Sequence, residues 1–191
     1  LVDEAHGAHF AIDCGMDLPE SALSAGADLV VHSLHKSAAG LVQTAVLWAK
    51  GNRVDPLSVE RSIGWLQTTS PSALLLASCE ATIREWGQPL GQRKLKKLIE
   101  KAIYLADLLK KQGLPLLPNQ DPLRLILHTA SVGINGLEAD EWFIAKGLVA
   151  ELPEPGCITF CMGLVSHWGL ARFMKLRWDE LSESFDVVSS L

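Results

Sequence analysis

The sequence has no long hydrophobic run, no excess of basic residues and few cysteines, and each lack excludes a class of protein. No stretch reaches the roughly 18 consecutive apolar residues of a membrane span, and no basic-then-apolar leader opens the sequence. The 191 residues carry a formal charge of −5, which gives no general attraction to nucleic acid or to an acidic membrane. We therefore expect a cytoplasmic protein with no nucleic-acid partner and no membrane partner.

The four cysteines are scattered along the chain, and only Cys157 and Cys161 lie close in sequence, at a spacing that places both on one face of a strand. This pattern favours small, buried, unpaired side chains in a reducing compartment over disulfides or a zinc site. A hydrophobic share of 48% and a charged share of 20% are typical of a folded protein. We find no internal repeat and no low-complexity tract.

The first part of the chain has the pattern of an α/β protein. Strands are predicted at Leu1–Asp3 and over residues 27–31 and 43–51, with a short helix over residues 19–25 that Gly26 ends. Asp55 is predicted to cap a helix beginning at Pro56, and Ser70 a longer helix that begins at Pro71 and ends near Trp86. The sequence opens in the middle of a strand pattern and without Met, so we expect a fragment of a longer protein.

The second part of the chain is predicted to begin after a long helix. Apolar residues at helical spacing run from Leu90 to Gln112, and the seven basic residues of this helix favour a solvated face over a site for an anionic partner. The proline-rich stretch 113–122 is typical of a linker. Strands over 123–129 and 157–163 and helices over 137–146 and 167–184 follow. The predicted domains are residues 1–114 and 115–191.

The stretch "ADLVVHSLHK", residues 27–36, runs from an apolar strand directly into Ser33, His35 and Lys36. The carboxyl ends of strands are where open α/β sheets bind ligands. A carboxylate at one strand end, Asp3, and an amine at a neighbouring one, Lys36, suit pyridoxal phosphate, which needs an acid at its ring nitrogen and a lysine at its aldehyde. Ser33 and His35 would supply donors to its phosphate.

Other interpretations compete with a cofactor site. Taken singly, a strand-end Asp is more often a cap and an isolated Lys is usually solvated. Two His-x-x-His pairs, His6 with His9 and His32 with His35, suggest a metal, but this spacing in a strand directs the two side chains to opposite faces, so we predict no metal site. The box "VDEAH" resembles that of DEAH helicases, yet no arginine-rich helicase box follows it.

Three segments in order, "LVDEAHGAHF", "GADLVVHSLHK" and "LQTTSPSALLLAS", resemble the major domain of the Orn/Lys/Arg decarboxylases, which are fold-type-I pyridoxal-phosphate enzymes. The resemblance is strong over residues 1–90 and looser beyond. It implies a fragment of an aminotransferase-like, three-layer α/β/α major domain, followed by a small α+β domain.

The family resemblance implies a role for three residues of the first segment. Asp3 would pair with the pyridine nitrogen, Ala5 would pack on the ring, and His6 would lie at the edge of the substrate pocket. All three positions lie within the "DEAH" segment, residues 3–6.

On the second segment, the resemblance implies that Lys36 binds the cofactor covalently and is catalytic together with His35. Ser33 and His35 would bind the phosphate. Thr68, Thr69 and Ser70 would lie at a dimer interface, within reach of the partner's cofactor.

The implied activity is decarboxylation of arginine, lysine or ornithine to the corresponding amine by a homodimer or larger assembly. Two alternatives stay open: an α-oxoamine synthase or other transferase of the same fold, and a non-catalytic fragment. In this family part of the cofactor site precedes the aspartate. We therefore expect the isolated chain to bind pyridoxal phosphate weakly or not at all.

Overall fold

The computed structural model describes the backbone of residues 1–163 and 169–189 and the side chains as far as residue 185. The chain divides into two compact units, Leu1–Lys96 and Lys97–Leu191. The predicted domain boundary after residue 114 is a different division of the chain and stays a prediction. Among the described residues, no helix is both long enough and apolar enough to cross a membrane.

A three-stranded sheet organises the first unit. Its strands are β1 (Val2–Asp3), β2 (Leu29–Ser33) and β3 (Ala45–Ala49), in the order β1-β2-β3. Strand β1 is parallel to β2. Strand β3 is antiparallel to β2, because the short connection after β2 leaves no room for the crossover that a parallel strand needs. Along β2 only Val30 and His32 are buried, so one face of the strand is covered more completely than the other.

Helix α1 (Leu34–Ser37) lies between β2 and β3, and helices α2 (Pro56–Leu66) and α3 (Ala73–Trp86) follow β3. Helix α2 begins as predicted, with the Asp55 carboxylate accepting from the backbone N–H groups of Leu57 and Ser58. The predicted start of α3 is wrong by two residues, since the cap is Ser72. Ser70 instead donates its N–H to Thr68 Oγ1 in a turn.

The short helix predicted over residues 19–25 is absent from the described chain, which forms turns there. The backbone N–H groups of Ser24 and Ala25 both donate to the Ser21 carbonyl, and Ala22 donates its N–H to the Glu4 side chain. A helix of this length forms too few hydrogen bonds to offset the conformational entropy lost in nucleating it. The segment forms turns instead, and one of its N–H groups binds the distant Glu4 side chain.

The predicted amphipathic helix is confirmed as α4 (Pro89–Lys111), which begins in the first unit and ends in the second. Its buried side chains recur at helical spacing: Leu95, Leu98, Ile99, Ala102, Leu105 and Leu109. The segment after it is not only a linker, because Leu116–Leu117 forms strand β4 and pairs with the next strand. These two extended residues therefore add an edge strand to the sheet of the second unit.

The second unit contains an antiparallel sheet with helices, as predicted for an α+β unit. The strand order is β4-β5-β7-β6, where β5 is Arg124–Leu127, β6 is Leu152–Glu154 and β7 is Cys157–Cys161. Helices α5 (Gly136–Ala145) and α6 (Leu170–Ser189) complete the unit. The predicted start of the last helix, at residue 167, lies outside the described residues, and the helix ends later than predicted. The core of the unit includes Leu125, Phe143, Ile158, Trp178 and Leu181.

No cysteine forms a disulfide within the described residues, but the expectation that all four are buried is wrong for Cys161, which is exposed at the C-terminal end of β7. Cys14 is buried, and Cys157 is half-buried on the same face of β7 as Cys161. Burial, and then a 3.4 Å hydrogen bond to Glu154, raise the pKa of the Cys157 thiol. A thiol that keeps its proton is a weak nucleophile, so Cys157 is suited to packing.

Candidate functional site

The ends of β1 and β2 bring two of the predicted residues, Asp3 and Ser33, to one face of the first sheet. The parallel pairing continues past β1, because Glu4 donates its N–H to the Val31 carbonyl at 3.1 Å and Ser33 donates its N–H to the Ala5 carbonyl at 3.2 Å. Asp3 pairs with Val31 in the parallel register and side chains alternate along β2, so Asp3 and Ser33 lie on the same face, while Ala5 lies in the turn after β1. Asp3 is exposed and Ser33 is half-buried, which leaves this face accessible to a ligand.

The Asp3 carboxylate is held at the strand end by its own backbone. Its Oδ1 accepts from the Ala5 N–H at 3.0 Å, which fixes the direction of the carboxyl group. An ionised carboxylate of this kind can accept a hydrogen bond from a protonated ring nitrogen.

Lys36 and His6, predicted from different segments, are brought together by the fold. Lys36 is exposed on α1, and its Nζ lies 3.1 Å from His6 Nε2. A charged ammonium has no lone pair, so His6 Nε2 is the acceptor and carries no proton in this arrangement. The pair places an amine and a proton acceptor beside the strand ends.

His35 is oriented by the backbone of the loop that precedes β3. Its Nδ1 lies 3.0 Å from the Thr44 carbonyl, which also accepts from the Leu34 N–H at 3.0 Å. A carbonyl can only accept, so Nδ1 carries a proton, and Nε2 becomes a second donor only when the ring is an imidazolium. His35 can therefore bind a phosphate through Nε2 in its charged form.

The opposite face of the same strands carries a hydrogen-bonded group that the sequence did not predict. His32 Nε2 lies 2.8 Å from Glu4 Oε2, and Trp48 donates its indole N–H to His32 Nδ1 at 3.0 Å. The His32 side chain is 2% exposed and that of Glu4 is 12% exposed. The sequence contained one indication of this group, a histidine inside an apolar strand. A buried imidazole needs hydrogen-bond partners for both of its nitrogens.

The argument against a metal at the His-x-x-His pairs needs correction for both pairs, because neither pair lies within one strand. His6 and His9 are not in a strand: His6 lies in a turn and His9 is buried in a 3₁₀ helix, Ala8–Ala11. His32 and His35 contact separate partners on different elements. The opposed-face reasoning thus assumed the wrong secondary structure for His6 and His9, and also for His35, which lies in helix α1.

The predicted interface residues Thr68, Thr69 and Ser70 lie in the exposed turn between α2 and α3. Thr68 Oγ1 accepts from the Ser70 N–H at 3.2 Å, which closes the turn. Their role toward a partner subunit stays a prediction.

A comparison with family profiles matches residues 1–126 to the Orn/Lys/Arg decarboxylase major domain. The chain belongs to this family. The match covers both strand-end segments of the site and the turn between α2 and α3. The resemblance inferred from the three sequence segments is therefore confirmed.

Known members of the Orn/Lys/Arg decarboxylase family are similar to this chain. An arginine decarboxylase of Bacillus anthracis is 34% identical over 157 residues, covering 74% of this chain and 30% of the relative. An arginine decarboxylase of Bacillus subtilis is 31% identical over 153 residues, covering 74% of this chain and 31% of the relative. The chain thus spans about a third of the length of these relatives.

Solved structures with the same fold include two lysine decarboxylases. The constitutive lysine decarboxylase of E. coli has a TM-score of 0.68 at 18% identity, covering 83% of this chain and 29% of that one. Lysine decarboxylase A of Pseudomonas aeruginosa has a TM-score of 0.66 at 16% identity, covering 83% and 29% respectively. These likenesses confirm the predicted fold class.

Proposed function

We propose that the chain carries part of the pyridoxal-phosphate site of a decarboxylase for a basic amino acid. The observation that carries the proposal is the strand-end cluster, in which Asp3 and Ser33 share a face while Lys36 meets His6 on the adjoining segment. Membership of the Orn/Lys/Arg decarboxylase family supports the reaction. Among the three candidate substrates we would test arginine first, because the similar curated relatives are arginine decarboxylases.

The donor set of this chain fits the cofactor. When bound, pyridoxal phosphate supplies an electron sink for the electron pair left behind by a departing carboxylate. Asp3 would hold a proton at the ring nitrogen, and Lys36 Nζ would attach the cofactor covalently. Ser33 Oγ and His35 Nε2 would bind the phosphate, and His6 Nε2, 3.1 Å from Lys36 Nζ, would accept a proton from the amine.

The remaining parts of the site would come from elsewhere. The chain spans 30% of the length of its arginine decarboxylase relative, and the face that carries Asp3 is open. We propose a homodimer or larger assembly in which the turn at residues 68–70 approaches the partner's cofactor. The isolated 191-residue chain would bind pyridoxal phosphate weakly or not at all.

A cofactor titration tests this function. Pyridoxal phosphate is added to the full-length product of the reading frame that contains residues 1–191, and absorbance of the bound cofactor is followed before and after borohydride reduction. We expect reduction to fix the absorbance to a peptide containing Lys36. Lys36→Ala should abolish the labelling, because Nζ supplies the attachment.

Lys50→Ala is the matched control, since Lys50 is an exposed lysine of the same unit that donates to the Leu23 carbonyl. It should label like the wild type. Release of carbon dioxide from arginine, lysine or ornithine without any acyl-CoA then separates decarboxylase from oxoamine synthase. A folded wild-type protein that is not labelled at Lys36 would refute the proposed function.

A further inference from the structure

We propose that Glu4, His32 and Trp48 form a positioning relay that fixes the strand ends carrying Asp3 and Ser33 and so sets the affinity of the site for pyridoxal phosphate. The inference rests on the proposed function. It concerns residues on the face of the sheet opposite the candidate cofactor site. None of the sequence motifs assigns these residues a role.

The relay joins the two strands at the positions that carry the candidate ligands. Glu4 directly follows Asp3, and His32 directly precedes Ser33. In the described chain, β1 pairs with β2 through Val2 with Val30 and Asp3 with Val31. The 2.8 Å bond from His32 Nε2 to Glu4 Oε2 adds a buried side-chain link between the strand ends.

The Glu4 carboxylate has both oxygens engaged. Oε2 contacts His32, while Oε1 accepts from the Ala22 N–H at 2.9 Å. A side chain at Gly7 would place its Cβ 2.4 Å from Glu4 Cγ, so the turn after β1 packs directly on this residue. The rotamer of Glu4 is therefore fixed from two sides, and the backbone at Asp3 with it.

Trp48 decides which nitrogen of His32 carries the proton. An indole N–H can only donate, so His32 Nδ1 must offer a lone pair to it. The ring proton then lies on Nε2 and is donated to Glu4. In this arrangement His32 is neutral, and the contact with Glu4 is a directed hydrogen bond instead of an ion pair.

Because the donors and acceptors of these hydrogen bonds are fixed, Glu4→Gln should disrupt them although the two side chains have the same shape. Glu4 faces two donors, the Ala22 N–H and the His32 Nε2–H. A glutamine has one acceptor oxygen, so its amide N–H₂ must meet one of the two donors. We expect the variant to bind pyridoxal phosphate about tenfold or more weakly, because a buried donor loses its partner beside Asp3.

Trp48→Phe should rescue that loss. Without the indole donor, the proton of His32 can move to Nδ1, and Nε2 can then accept from the glutamine amide. Glu4→Gln should therefore weaken cofactor binding far less in the Trp48→Phe background than in the wild type. A residue that acts only by filling space would give additive losses.

The experiment combines cofactor binding with histidine NMR. The dissociation constant of pyridoxal phosphate is measured for the full-length product in the wild type, the two single variants and the double variant. Glu85→Gln is the matched control, because it is also a Glu→Gln change, at an exposed carboxylate that accepts from Lys94. In ¹⁵N-histidine spectra, the His32 signal is identified as the one that disappears in the His32→Gln variant. In the wild type this signal should show the proton on Nε2.

The outcomes separate this inference from the proposed function. A proton on His32 Nδ1, an unchanged affinity in Glu4→Gln, or an additive loss in the double variant would each overturn the relay. If Glu4→Gln does not fold, the double variant decides: the relay requires that it fold, and a double variant that also fails to fold would overturn the relay. A wild-type protein that binds no cofactor would contradict the proposed function instead.

Discussion

At the scale of single residues, two histidines of β2 and α1 are held in opposite tautomers by neighbours with fixed chemistry. Trp48 can only donate, so His32 is protonated on Nε2, whereas the Thr44 carbonyl can only accept, so His35 is protonated on Nδ1. The histidine next to Lys36 can therefore present a charge to an anion, while the buried one is engaged on both sides.

Ser37, next to the candidate catalytic lysine, has a buried hydroxyl with no hydrogen-bond partner among the described residues. We expect Ser37→Ala to leave stability unchanged or raise the free energy of unfolding by up to about 1 kcal/mol, because an unsatisfied buried polar atom is removed. Thermal or urea unfolding measures the change. A loss of stability would indicate that the hydroxyl has a partner in solution.

Thr44→Val is the matched comparison, since Thr44 is also buried but donates its hydroxyl to the Leu41 carbonyl at 2.6 Å. Removing this bond should cost about 1 kcal/mol. The two hydroxyl deletions should thus differ in sign or at least clearly in size.

The sequence indicated one group of residues at the candidate site and did not indicate the other. Asp3, Ser33 and Lys36 could be chosen because acids, hydroxyls and amines at strand ends have chemical roles that the sequence displays. Glu4 and Trp48 could not, because their contact with His32 depends on the register of three strands. A register is decided by pairing across the sheet, which no single segment encodes.

At the scale of elements, helices with strong end signals were predicted and weak ones were not. Asp55 followed by Pro56 located the start of α2, and the long apolar stripe located α4. The helix over residues 19–25 failed because a segment that short depends on tertiary contacts. Strand β6 was missed for a similar reason, since three residues carry no readable alternation.

The N-cap of α2 gives a pH-dependent contribution to stability. The hydrogen bond from Ser58 Oγ and then the Leu57 N–H lower the pKa of Asp55 below its ordinary value. A lowered folded-state pKa stabilises the fold above the unfolded pKa, and the contribution is lost as the pH falls through the folded value. Asp55→Asn should keep the cap but remove this dependence, as unfolding measured between pH 7 and strongly acidic pH would show.

Asp55→Ala should lower stability at neutral pH, since the cap itself is lost. Equal slopes of stability against pH in the wild type and in Asp55→Asn would contradict the assignment.

Gly136 starts α5 at a point where no side chain fits. A Cβ there would lie 2.0 Å from the Glu154 carbonyl oxygen and 2.7 Å from that of Cys157, and backbone atoms cannot move aside easily. Gly136→Ala should therefore cost about 1–3 kcal/mol of unfolding free energy. Gly64→Ala, in α2 with nothing within 4 Å, should instead gain about 0.5–1 kcal/mol. Equal effects at the two positions would contradict the packing at Gly136.

At the scale of the whole molecule, α2 exposes apolar side chains that a solvated helix would not retain. None of its residues is buried, and Trp65 and Leu66 are 81% and 89% exposed. An exposed apolar patch of this kind marks an interaction site. Because the proposed assembly is a homodimer or larger, we expect the turn beside α2 to lie near the contact between copies.

Trp65→Ser combined with Leu66→Lys tests that assembly. We expect the double substitution to weaken self-association of the full-length product about tenfold or more, measured by sedimentation equilibrium, because apolar anchors dominate such contacts. Tyr104→Lys is the control, since Tyr104 is also 70% exposed but belongs to α4. Unchanged association in the double variant would exclude α2 from the interface.

The two kinds of strand pairing in the first sheet imply an order of assembly for the site. Strands β2 and β3 are antiparallel and are joined by residues 34–44, whose ends meet through the bond from the Leu34 N–H to the Thr44 carbonyl. Strand β1 must close a longer loop to reach β2, at a greater cost in chain entropy. During folding, Ser33, His35 and Lys36 should therefore take their places first, and Asp3 should complete the cluster last.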